Sequence, residues 1–524
     1  WLKYYKELVP AHLNYPKGTM VGYFLEAVAR YPENIAIEYY GRTYTYRTFY
    51  EMIRDTAKSL KSQGVKEGDT IAICMPNTPE ALLMFYAANM VGALVSLIHP
   101  LSAEKEIQNY INGSGATFLL SLDLVYDKVH NIVDNTCIKK IVIASAGDSL
   151  KTIKKFLYKF KNRGTVPKIE LTDDIMTWNE FINYGYDYQG EIACLKGAND
   201  PAVILYSGGT SGDPKGILLT NMNFNALALS CHKMIEQSGE SESILAILPI
   251  FHGFGLGVCI HTTLGCGMRV VLIPNFNPKD FGKLLHKHKI SIVCGVPSLF
   301  ESLTKTSMGK NDLSKLKSAI SGGDFMSKDL KNKVDTYFRE HGSNAEIRVG
   351  YGLTEASAAI CVTPTGGYRE SSIGIPFPDT YVKVVRVGTH DEVPYGEDGE
   401  ICISGPTVMM GYLNNLEETI QTLQIHEDGR TWLHTGDKDG FVYFKQRVKR
   451  IIISNGYNLY PSYIETIINS HPDVFTSTVI GIPHPKKVQV AKEYIVLKDG
   501  VKPSKDVEKS IRLHCEKNLA RYSL

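Results

Sequence analysis

The sequence predicts an α/β fold: a large N-terminal lobe of parallel-type sheets covered by helices, with a small antiparallel unit, followed by a small mobile α+β C-terminal lobe. Short apolar runs alternate with helical stretches up to about Gly374, which favours parallel sheets covered by helices. These runs are DTIAICM, ALVSLIH, TFLLSL, KKIVIAS, AVILYS and RVVLIP. From about Gly374, short strands and turns (YVKVVRV, GEICISG and GFVYFKQ) predict the antiparallel unit. After Arg447 a second alternation predicts the C-terminal lobe.

The length predicts more than one structural unit, because 524 residues exceed what one ordinary core holds. We place the boundary at the VKR segment, so that residues 1–446 form the large lobe and residues 447–524 the C-terminal lobe. Near the N-terminus, FLEAVARYPE and RTFYEMIRDTAKSLKSQG have helical periodicity, and NIAIEYYGRTYTY between them predicts a hairpin.

Composition predicts a soluble cytoplasmic protein without affinity for nucleic acid. The 57 Lys and Arg residues nearly cancel the 55 Asp and Glu residues, so no global charge attracts a polyanion. The ten cysteines are scattered singly, as expected of reduced thiols. The N-terminal WLKYYKELVP lacks the features of a secretory signal. Glycine, proline and polar residues interrupt the apolar runs at residues 81–101 and 244–260, so we expect both to be buried rather than membrane-spanning.

A cationic amphipathic helix is predicted at residues 151–163 (KTIKKFLYKFKNR). Ile153, Phe156, Leu157 and Phe160 share one face, with lysines around it. We expect this face to pack on the core. The alternative is a weak contact with a membrane surface, which would suit an apolar substrate drawn from a bilayer.

The segment YSGGTSGDPKG, residues 206–216, has the composition of a phosphate-binding loop. It follows an apolar strand, and its glycines allow backbone N–H groups to surround an anion while hydroxyls and a lysine add donors and charge. The candidate phosphate ligands are Ser207, Gly208, Gly209, Thr210, Ser211, Gly212 and Lys215. A Walker A loop is excluded, because Pro214 precedes Lys215 and Gly216 follows it.

This loop closely resembles the phosphate-loop signature of the adenylate-forming superfamily, which comprises acyl-CoA synthetases, luciferases and the adenylation domains of peptide synthetases. The whole chain is most similar to the AMP-forming fatty acyl-CoA ligases of that superfamily. Four further segments match the superfamily in order, so the resemblance extends over nearly the whole chain. They are LPIFHGFGL (248–256), SGGDFMS (321–327), YGLTEAS (351–357) and HTGDKDGFVYFKQRVKRIIISNGYNLYPSYIE (434–465).

The resemblance implies a nucleotide site. Tyr351 would stack on adenine, with the backbone of Gly352 beside it, and Thr354 would contact the α-phosphate. Glu355 would help to hold Mg²⁺, a hard cation that prefers carboxylate oxygens. The remaining implied ATP-binding residues are Gly322 and Gly323, which would line the pocket, and Asp437 and Arg447, which would bind the ribose and phosphates.

The resemblance also implies groups for the acid and for the thiol. His252 would lie beside the substrate carboxylate, and the small residues Gly253, Gly255 and Gly257 would leave room for an acyl chain. Lys449 would be the hinge about which the C-terminal lobe rotates between two half-reactions. The loop that carries Gly456 would line a tunnel for coenzyme A.

One expected residue has no counterpart. The adenylation lysine of the superfamily lies in a PKxxxGK-like stretch near the C-terminus, and this sequence ends at ARYSL, before such a stretch. We therefore expect either a shortened C-terminal lobe or a weakened enzyme.

The implied activity is ATP-dependent activation of a fatty or other apolar acid to an acyl adenylate, followed by thioester formation with coenzyme A. An adenylation enzyme that loads an acyl or amino acid onto a carrier protein is the first alternative. An amino-acid substrate would need a carboxylate for its ammonium group, and Glu236, Glu240 and Glu242 form no convincing pattern for this. A nucleotide-binding module with weak or no catalysis is the second alternative. The acid's chain length and its aromatic or aliphatic character are left open.

Overall fold

The predicted α/β class is confirmed by a computed structural model. It describes residues 2–5, 9–162, 164–208, 214–235, 241–370, 372–394, 396–439, 444–447, 452–454, 457–459, 461–484, 487–498 and 500–519. Within these ranges, parallel sheets with covering helices precede a small antiparallel sheet and a C-terminal α/β region.

The helices of the described residues alternate with strands through most of the chain. They are α1 (Met20–Arg30), α2 (Tyr46–Ser62), α3 (Pro79–Met90), α4 (Glu104–Ser114), α5 (Tyr126–Ile132), α6 (Thr152–Lys161), α7 (Trp178–Tyr186), α8 (Asn221–Met234), α9 (Thr262–Gly265), α10 (Phe281–Lys287), α11 (Pro297–Leu303), α12 (Lys328–Glu340), α13 (Leu416–Thr422), α14 (Pro461–Asn469) and α15 (Lys505–Asn518).

Strands are similarly distributed. They are β1 (Ile35–Tyr39), β2 (Arg42–Thr45), β3 (Thr70–Cys74), β4 (Leu94–Leu97), β5 (Phe118–Leu122), β6 (Lys140–Ala144), β7 (Ile175–Thr177), β8 (Pro201–Gly208), β9 (Pro214–Thr220), β10 (Ser243–Ala246), β11 (Arg269–Leu272), β12 (Ile292–Gly295), β13 (Ser318–Ser321), β14 (Ile347–Tyr351), β15 (Cys361–Val362), β16 (Ile375–Pro376), β17 (Tyr381–Val385), β18 (Gly399–Ser404), β19 (Gly411–Tyr412), β20 (Leu423–Ile425), β21 (Thr431–Asp439), β22 (Phe444–Arg447), β23 (Ile452–Ser454), β24 (Tyr457–Leu459), β25 (Val474–His484) and β26 (Val488–Leu497).

Two large sheets form the body of the molecule. One has the order β19-β9-β8-β4-β3-β5-β6-β7, and the other β16-β15-β14-β13-β12-β10-β11-β1-β2. The pairs in the middle of both sheets are parallel, and antiparallel pairs occur only toward their edges. Because strands of a parallel sheet are connected through helices that cover both faces, the strands are almost fully apolar, as the sequence runs indicate.

The two smaller sheets follow in sequence. Strands β17, β18, β20, β21 and β22 form an antiparallel sheet, as the short strands and turns after Gly374 predict. Strands β23 to β26 form a separate sheet, whose apolar cluster includes Ile452, Ile464, Val479 and Ile511 from strands and the helices α14 and α15.

Both interrupted apolar runs are buried over most of their length. The first contains α3, which is buried on every side, so it has no polar face. Thr78 caps α3 by accepting a hydrogen bond from the N–H of Ala81, and Pro79 occupies its first turn. The second run contains β10 and a π-helix, Phe254–His261. No described helix is long and apolar enough to cross a membrane.

The apolar face of α6 does not pack on the core, contrary to the first expectation for this helix. Ile153, Phe156, Leu157 and Phe160 are 77%, 71%, 58% and 69% exposed. The helix contacts the core through Tyr158 on its other side. An amphipathic pattern identifies an apolar stripe, but it does not determine which side faces the protein.

Glu80, in the first turn of α3, is a buried carboxyl group inside this core. Its Oε1 accepts a 2.6 Å hydrogen bond from Ser149 Oγ, and its Oε2 is buried without a partner among the described residues. Burial raises the pKa of Glu80 to about 7 from the ordinary value of 4.5.

We predict that Glu80→Gln changes how stability depends on pH. Because the folded state holds the Glu80 proton more tightly than the unfolded state, the wild type loses stability as the pH rises from about 5 to 8, by up to about 3 kcal/mol from this group. Urea unfolding at several pH values should show that the variant's relative stability increases over this range. Glu51→Gln, at an exposed position, is the control. The prediction would be contradicted if the free energy of unfolding depended on pH in the same way for wild type and Glu80→Gln.

Candidate active site

A large cavity lies at the carboxyl ends of the parallel strands of both large sheets. Its volume is about 1490 Å³, above the roughly 300–1,000 Å³ of ordinary ligand pockets. Segments that follow β3, β4, β5, β8, β10, β11, β12, β13 and β14 line it. This is the edge at which α/β sheets bind their ligands, because all the connecting loops leave the sheet there.

Eight residues predicted from the sequence line this cavity together. They are Ser207, His252, Gly322, Gly323, Tyr351, Gly352, Thr354 and Glu355. These residues are separated by up to 148 positions, so the fold brings the separate motifs into one place. The arrangement combines backbone glycines, hydroxyl groups, a carboxylate, an imidazole and an aromatic face in the same cavity.

Other predicted residues are described only in part or not at all. Gly209, Thr210, Ser211, Gly212, Lys449 and Gly456 lie outside the described residues. For Gly208, Asp437 and Arg447 the structure describes the backbone alone. Asp437 lies opposite Arg447 in the antiparallel pair of β21 and β22. Thr435, two residues before Asp437, lines the cavity.

The glycine-rich segment connects two antiparallel strands. Tyr206 pairs with Gly216 and Ser207 with Lys215 across β8 and β9. A P-loop connects a strand to a helix, so this topology agrees with the exclusion of a Walker A motif. The strand pairing also places Ser207 at the edge of the cavity.

Glu355 is held by two hydroxyl groups that come from distant parts of the chain. Its Oε1 accepts hydrogen bonds from Ser207 Oγ at 3.4 Å and from the Tyr412 hydroxyl at 3.0 Å. Burial, together with the Glu355 carboxylate, raises the pKa of Tyr412, so its hydroxyl stays protonated as a donor. The sequence analysis missed Tyr412, because a tyrosine in β19 carries no motif. A carboxylate next to the hydroxyls of Ser207 and Thr354 is a donor set that suits a hard cation such as Mg²⁺.

Lys215 is engaged by a residue that the sequence analysis also missed. Its ammonium group forms an ion pair with Glu418, in the first turn of α13, and lies 5.2 Å from the centre of the Tyr412 ring. Among the described residues, Lys215 is next to the cavity wall rather than part of it. Its charge is therefore balanced by the protein itself in this arrangement.

His252 follows β10 and faces the cavity at the start of the π-helix. Its Nδ1 accepts a hydrogen bond from the Phe254 N–H at 3.3 Å, which leaves the ring proton on Nε2. Burial within the protein lowers the pKa of His252, although the side chain is accessible from the cavity. The imidazole is consequently neutral near pH 7 and presents an N–H donor.

The glycines after His252 do not all leave room for a substrate. A Cβ on Gly255 would lie 2.0 Å from the Pro249 carbonyl oxygen, and one on Gly257 would lie 2.5 Å from Leu227 Cδ2. These two glycines allow the π-helix to pack closely against the protein, so our expectation of space beside them is wrong. Of the three, Gly253 lines the cavity.

Gly352 is required by a sharp reversal of the chain. A Cβ there would lie 1.6 Å from the carbonyl oxygen of Ala358. Ser357 and Ala358 both have positive φ, 61° and 117°, a conformation that costs free energy in residues with a side chain. This reversal brings Tyr351, Thr354 and Glu355 to the same part of the cavity.

His99, which follows β4, also lines the cavity and was not singled out in the sequence. Its ring lies 4.2 Å from that of Phe251, and its Nδ1 accepts a hydrogen bond from the Leu101 N–H. Burial, with a smaller contribution from Lys128, lowers the pKa of His99 to about 4. A lone histidine in an apolar run carries no sequence signal of a site.

This chain belongs to the AMP-binding enzyme family, so the predicted membership in the adenylate-forming superfamily is confirmed. The model of the AMP-binding enzyme family matches residues 24–413, and that of the AMP-binding enzyme C-terminal domain matches residues 463–524.

Similar proteins include named CoA ligases. A long-chain-fatty-acid–CoA ligase of Bacillus subtilis is 31% identical over 96% of this chain and 90% of its own length. A probable 4-coumarate–CoA ligase of Dictyostelium discoideum is 30% identical over 86% of this chain and 80% of its own. The crystal structure of a long-chain-fatty-acid–CoA ligase from Archaeoglobus fulgidus has the same fold, with a TM-score of 0.79 at 23% identity and coverage of 99% and 98%.

We predict that Gly352→Ala lowers the affinity for ATP by at least about 100-fold, because the added Cβ displaces the backbone that carries Tyr351 and Thr354. Equilibrium binding of ATP to the purified variant measures this. Gly113→Ala is the matched control, since a Cβ there meets nothing within 4 Å. Circular dichroism checks that the variant is folded, and ATP affinity equal to wild type in a folded Gly352→Ala would contradict the prediction.

Proposed function

We propose that this protein activates an apolar carboxylic acid with ATP and transfers the acyl group to coenzyme A. The observation that carries the proposal is that the candidate nucleotide residues share one cavity with a wall of apolar side chains. Those apolar side chains include Leu122, Leu150, Met234, Val258, Ile320 and Val362. A cavity of about 1490 Å³ has room for a nucleotide together with an acid of considerable length.

The carboxylates of the cavity favour an apolar acid over an amino acid. Among the described lining residues these are Glu106, Glu301 and Glu355. Glu106 accepts a hydrogen bond from the Ala103 N–H, Glu301 pairs with Lys305, and Glu355 binds two hydroxyls. Each carboxylate therefore already has a partner in the protein, and holding a substrate ammonium group would require replacing one of them.

In the first step, a carboxylate oxygen of the acid attacks the α-phosphorus of ATP, and the bond to the bridging oxygen breaks to release pyrophosphate. Hydroxyl donors from Ser207 and Thr354 stabilise the charge that develops on the phosphate oxygens. The Nε2–H of His252 holds the acid's carboxylate in position, and Tyr351 provides an aromatic surface for adenine.

Glu355 is the residue we assign to Mg²⁺. The bound ion would neutralise phosphate charge during the first step. In the free protein, hydrogen bonds from Ser207 and Tyr412 hold the Glu355 carboxylate in one orientation, and the Tyr412 bond can persist when Ser207 turns to the phosphate.

In the second step, the thiol of coenzyme A attacks the carbonyl carbon of the mixed anhydride, and AMP leaves. We propose that residues 447–524 act as a lobe that turns about Lys449 between the two steps, with Gly456 at the coenzyme A tunnel and Asp437 and Arg447 at the ribose. The separate sheet of β23 to β26, with its own apolar cluster, supports this division.

Similar proteins support the substrate class. The relatives at about 30% identity are named as long-chain-fatty-acid and 4-coumarate CoA ligases. Both names denote an apolar acid and coenzyme A as the thiol. Neither name decides between an aliphatic and an aromatic acid for this chain.

The proposal is tested with a panel of acids from acetate to palmitate, together with an aromatic acrylate, assayed for AMP release that depends on coenzyme A. We expect release with apolar acids and little with acetate or amino acids. Product that forms only on a carrier protein would favour the first alternative. ATP binding without AMP release for any acid would favour a nucleotide-binding module.

We predict opposite effects for the two members of the Lys215–Glu418 pair. Lys215→Met should weaken ATP binding by about ten- to hundredfold, because a charge-assisted hydrogen bond to phosphate is lost. Glu418→Gln should leave ATP binding unchanged or strengthen it, because it frees Lys215 from its ion pair. Equal losses in both variants would indicate that the pair only stabilises the fold.

We also propose that α6 is a site of contact with an anionic membrane surface. Its four exposed apolar side chains form one face, and residues 151–163 contain six cationic and no acidic residues. Leu150, Lys154, Tyr158 and Asn162 line the cavity, so this surface adjoins the space assigned to the acid. An apolar acid would then have a short path from a bilayer to the site.

We predict that Phe156→Ser combined with Phe160→Ser reduces binding to vesicles that contain phosphatidylglycerol by at least about tenfold, since two large side chains no longer insert. Co-sedimentation measures the bound fraction. The matched control is Leu195→Ser, at a side chain that is 96% exposed elsewhere on the surface. Absence of wild-type protein from the vesicle pellet would contradict the proposed contact.

A further inference from the structure

Three histidines meet on the small antiparallel sheet, outside the cavity. His434 lies in β21, His426 just after β20, and His390 in the connection between β17 and β18. One ring nitrogen of each lies within 4.8 Å of the others. His426 is buried, His434 is half-buried and His390 is exposed, so the cluster opens to solvent on one side.

We propose that His390, His426 and His434 form a binding site for a transition-metal dication of the Zn²⁺ type. Neutral imidazole is a preferred ligand of such ions, and three protein ligands with an open side leave a position for water or another ligand.

The spacing of the nitrogens suits this ion. Nε2 of His426 and Nε2 of His434 lie 2.9 Å apart. Two nitrogens bound to a tetrahedral Zn²⁺, each at about 2.0–2.1 Å, would be about 3.3 Å apart. The two rings therefore need to separate by only a few tenths of an ångström. The ring of His390 stacks on that of His426 at 3.9 Å, so His390 has to rotate to direct a nitrogen at the ion, which its exposure allows.

Acceptors outside the cluster orient two of the rings. Nδ1–H of His434 donates to Glu400 Oε2 at 3.0 Å, which leaves the lone pair of Nε2 directed at His426. Nε2–H of His390 donates to Gln424 Oε1 at 2.7 Å, which leaves its Nδ1 unprotonated. A carboxylate or carbonyl oxygen behind each histidine is the usual arrangement around bound zinc, because it selects the tautomer and increases the basicity of the ligand.

His426 is the buried member of the cluster. It is 4% exposed, and its Nδ1 is buried without a hydrogen-bond partner among the described residues. Among the described residues its ring makes one hydrogen bond, which its Nε2–H donates to the lone pair of His434 Nε2. A metal ion in place of that proton would be coordinated by both Nε2 atoms.

Charges around the cluster are compatible with a cation. Lys383 opposes a cation, but its ammonium lies 4.3 Å from the Trp432 ring centre and 3.9 Å from Glu392 Oε1. The negative charges of the Glu400 and Asp428 carboxylates favour a bound cation.

Zinc binding to the full chain without a purification tag tests the proposal. Competition with a chromophoric chelator should give one Zn²⁺ per chain in the wild type. His390→Ala, at an exposed position where folding is not at risk, should weaken binding by at least about tenfold, and Gln424→Leu should weaken it less. The exposed His130→Ala should leave it unchanged.

Spectroscopy separates this site from adventitious histidine binding. Co²⁺ bound to the wild type should give the intense visible absorption of a four-coordinate site, which His390→Ala and His426→Asn should abolish. Zn²⁺ should also raise the melting temperature of the wild type and not that of folded His390→Ala. Equal stoichiometry and affinity in wild type and His390→Ala, or no binding to the wild type, would overturn the proposal.

Discussion

Parallel strand pairing in the two large sheets is the constraint from which the site follows. Parallel strands direct all their carboxyl ends to one edge, so the loops after them meet there however far apart they lie in sequence. His99 after β4, Ser207 at the end of β8, His252 after β10 and Tyr351 at the end of β14 reach one cavity for this reason.

Charge balance is the second constraint on this cavity. An unpaired charge that is shielded from water is costly, so the protein pairs its own charges: Lys215 with Glu418, and the Glu355 carboxylate with the hydroxyls of Ser207 and Tyr412. In the proposed reaction, a polyanionic nucleotide and its cation bring charges that require these pairs to rearrange. The groups proposed to bind substrate are therefore neighbours of the groups that pair with them in the free protein.

Apolar surface continues from the cavity to the outside of the molecule. The cavity wall is largely apolar, and α6, which forms part of its rim, directs four apolar side chains to solvent. A large exposed apolar face is unfavourable in water unless it contacts something, so its position beside the cavity links the proposed membrane contact with the proposed acid. An apolar substrate taken from a membrane would account for both the apolar cavity wall and the exposed apolar face of α6.

Much of the fold and part of the site could be predicted from the sequence, because they depend on local properties. Apolar runs determine strands, and the chain reversal that follows YGLTE depends on a glycine at position 352, where a Cβ would collide with the Ala358 carbonyl oxygen. The exposure of α6 could not be predicted, since periodicity identifies a stripe without its partner. The close packing at Gly255 could not be predicted either, because it depends on the position of the Pro249 carbonyl oxygen in the folded chain.

The sequence by itself determined the family and the type of sheet, and it predicted which segments carry nucleotide chemistry. Tertiary structure decided which side chains meet them. Tyr412 reaches Glu355 across 57 positions, Glu418 reaches Lys215 across 203, and His390, His426 and His434 converge from three segments of one small sheet. None of these contacts leaves a periodic or spaced signal, because each depends on how separate segments of the chain pack together in three dimensions.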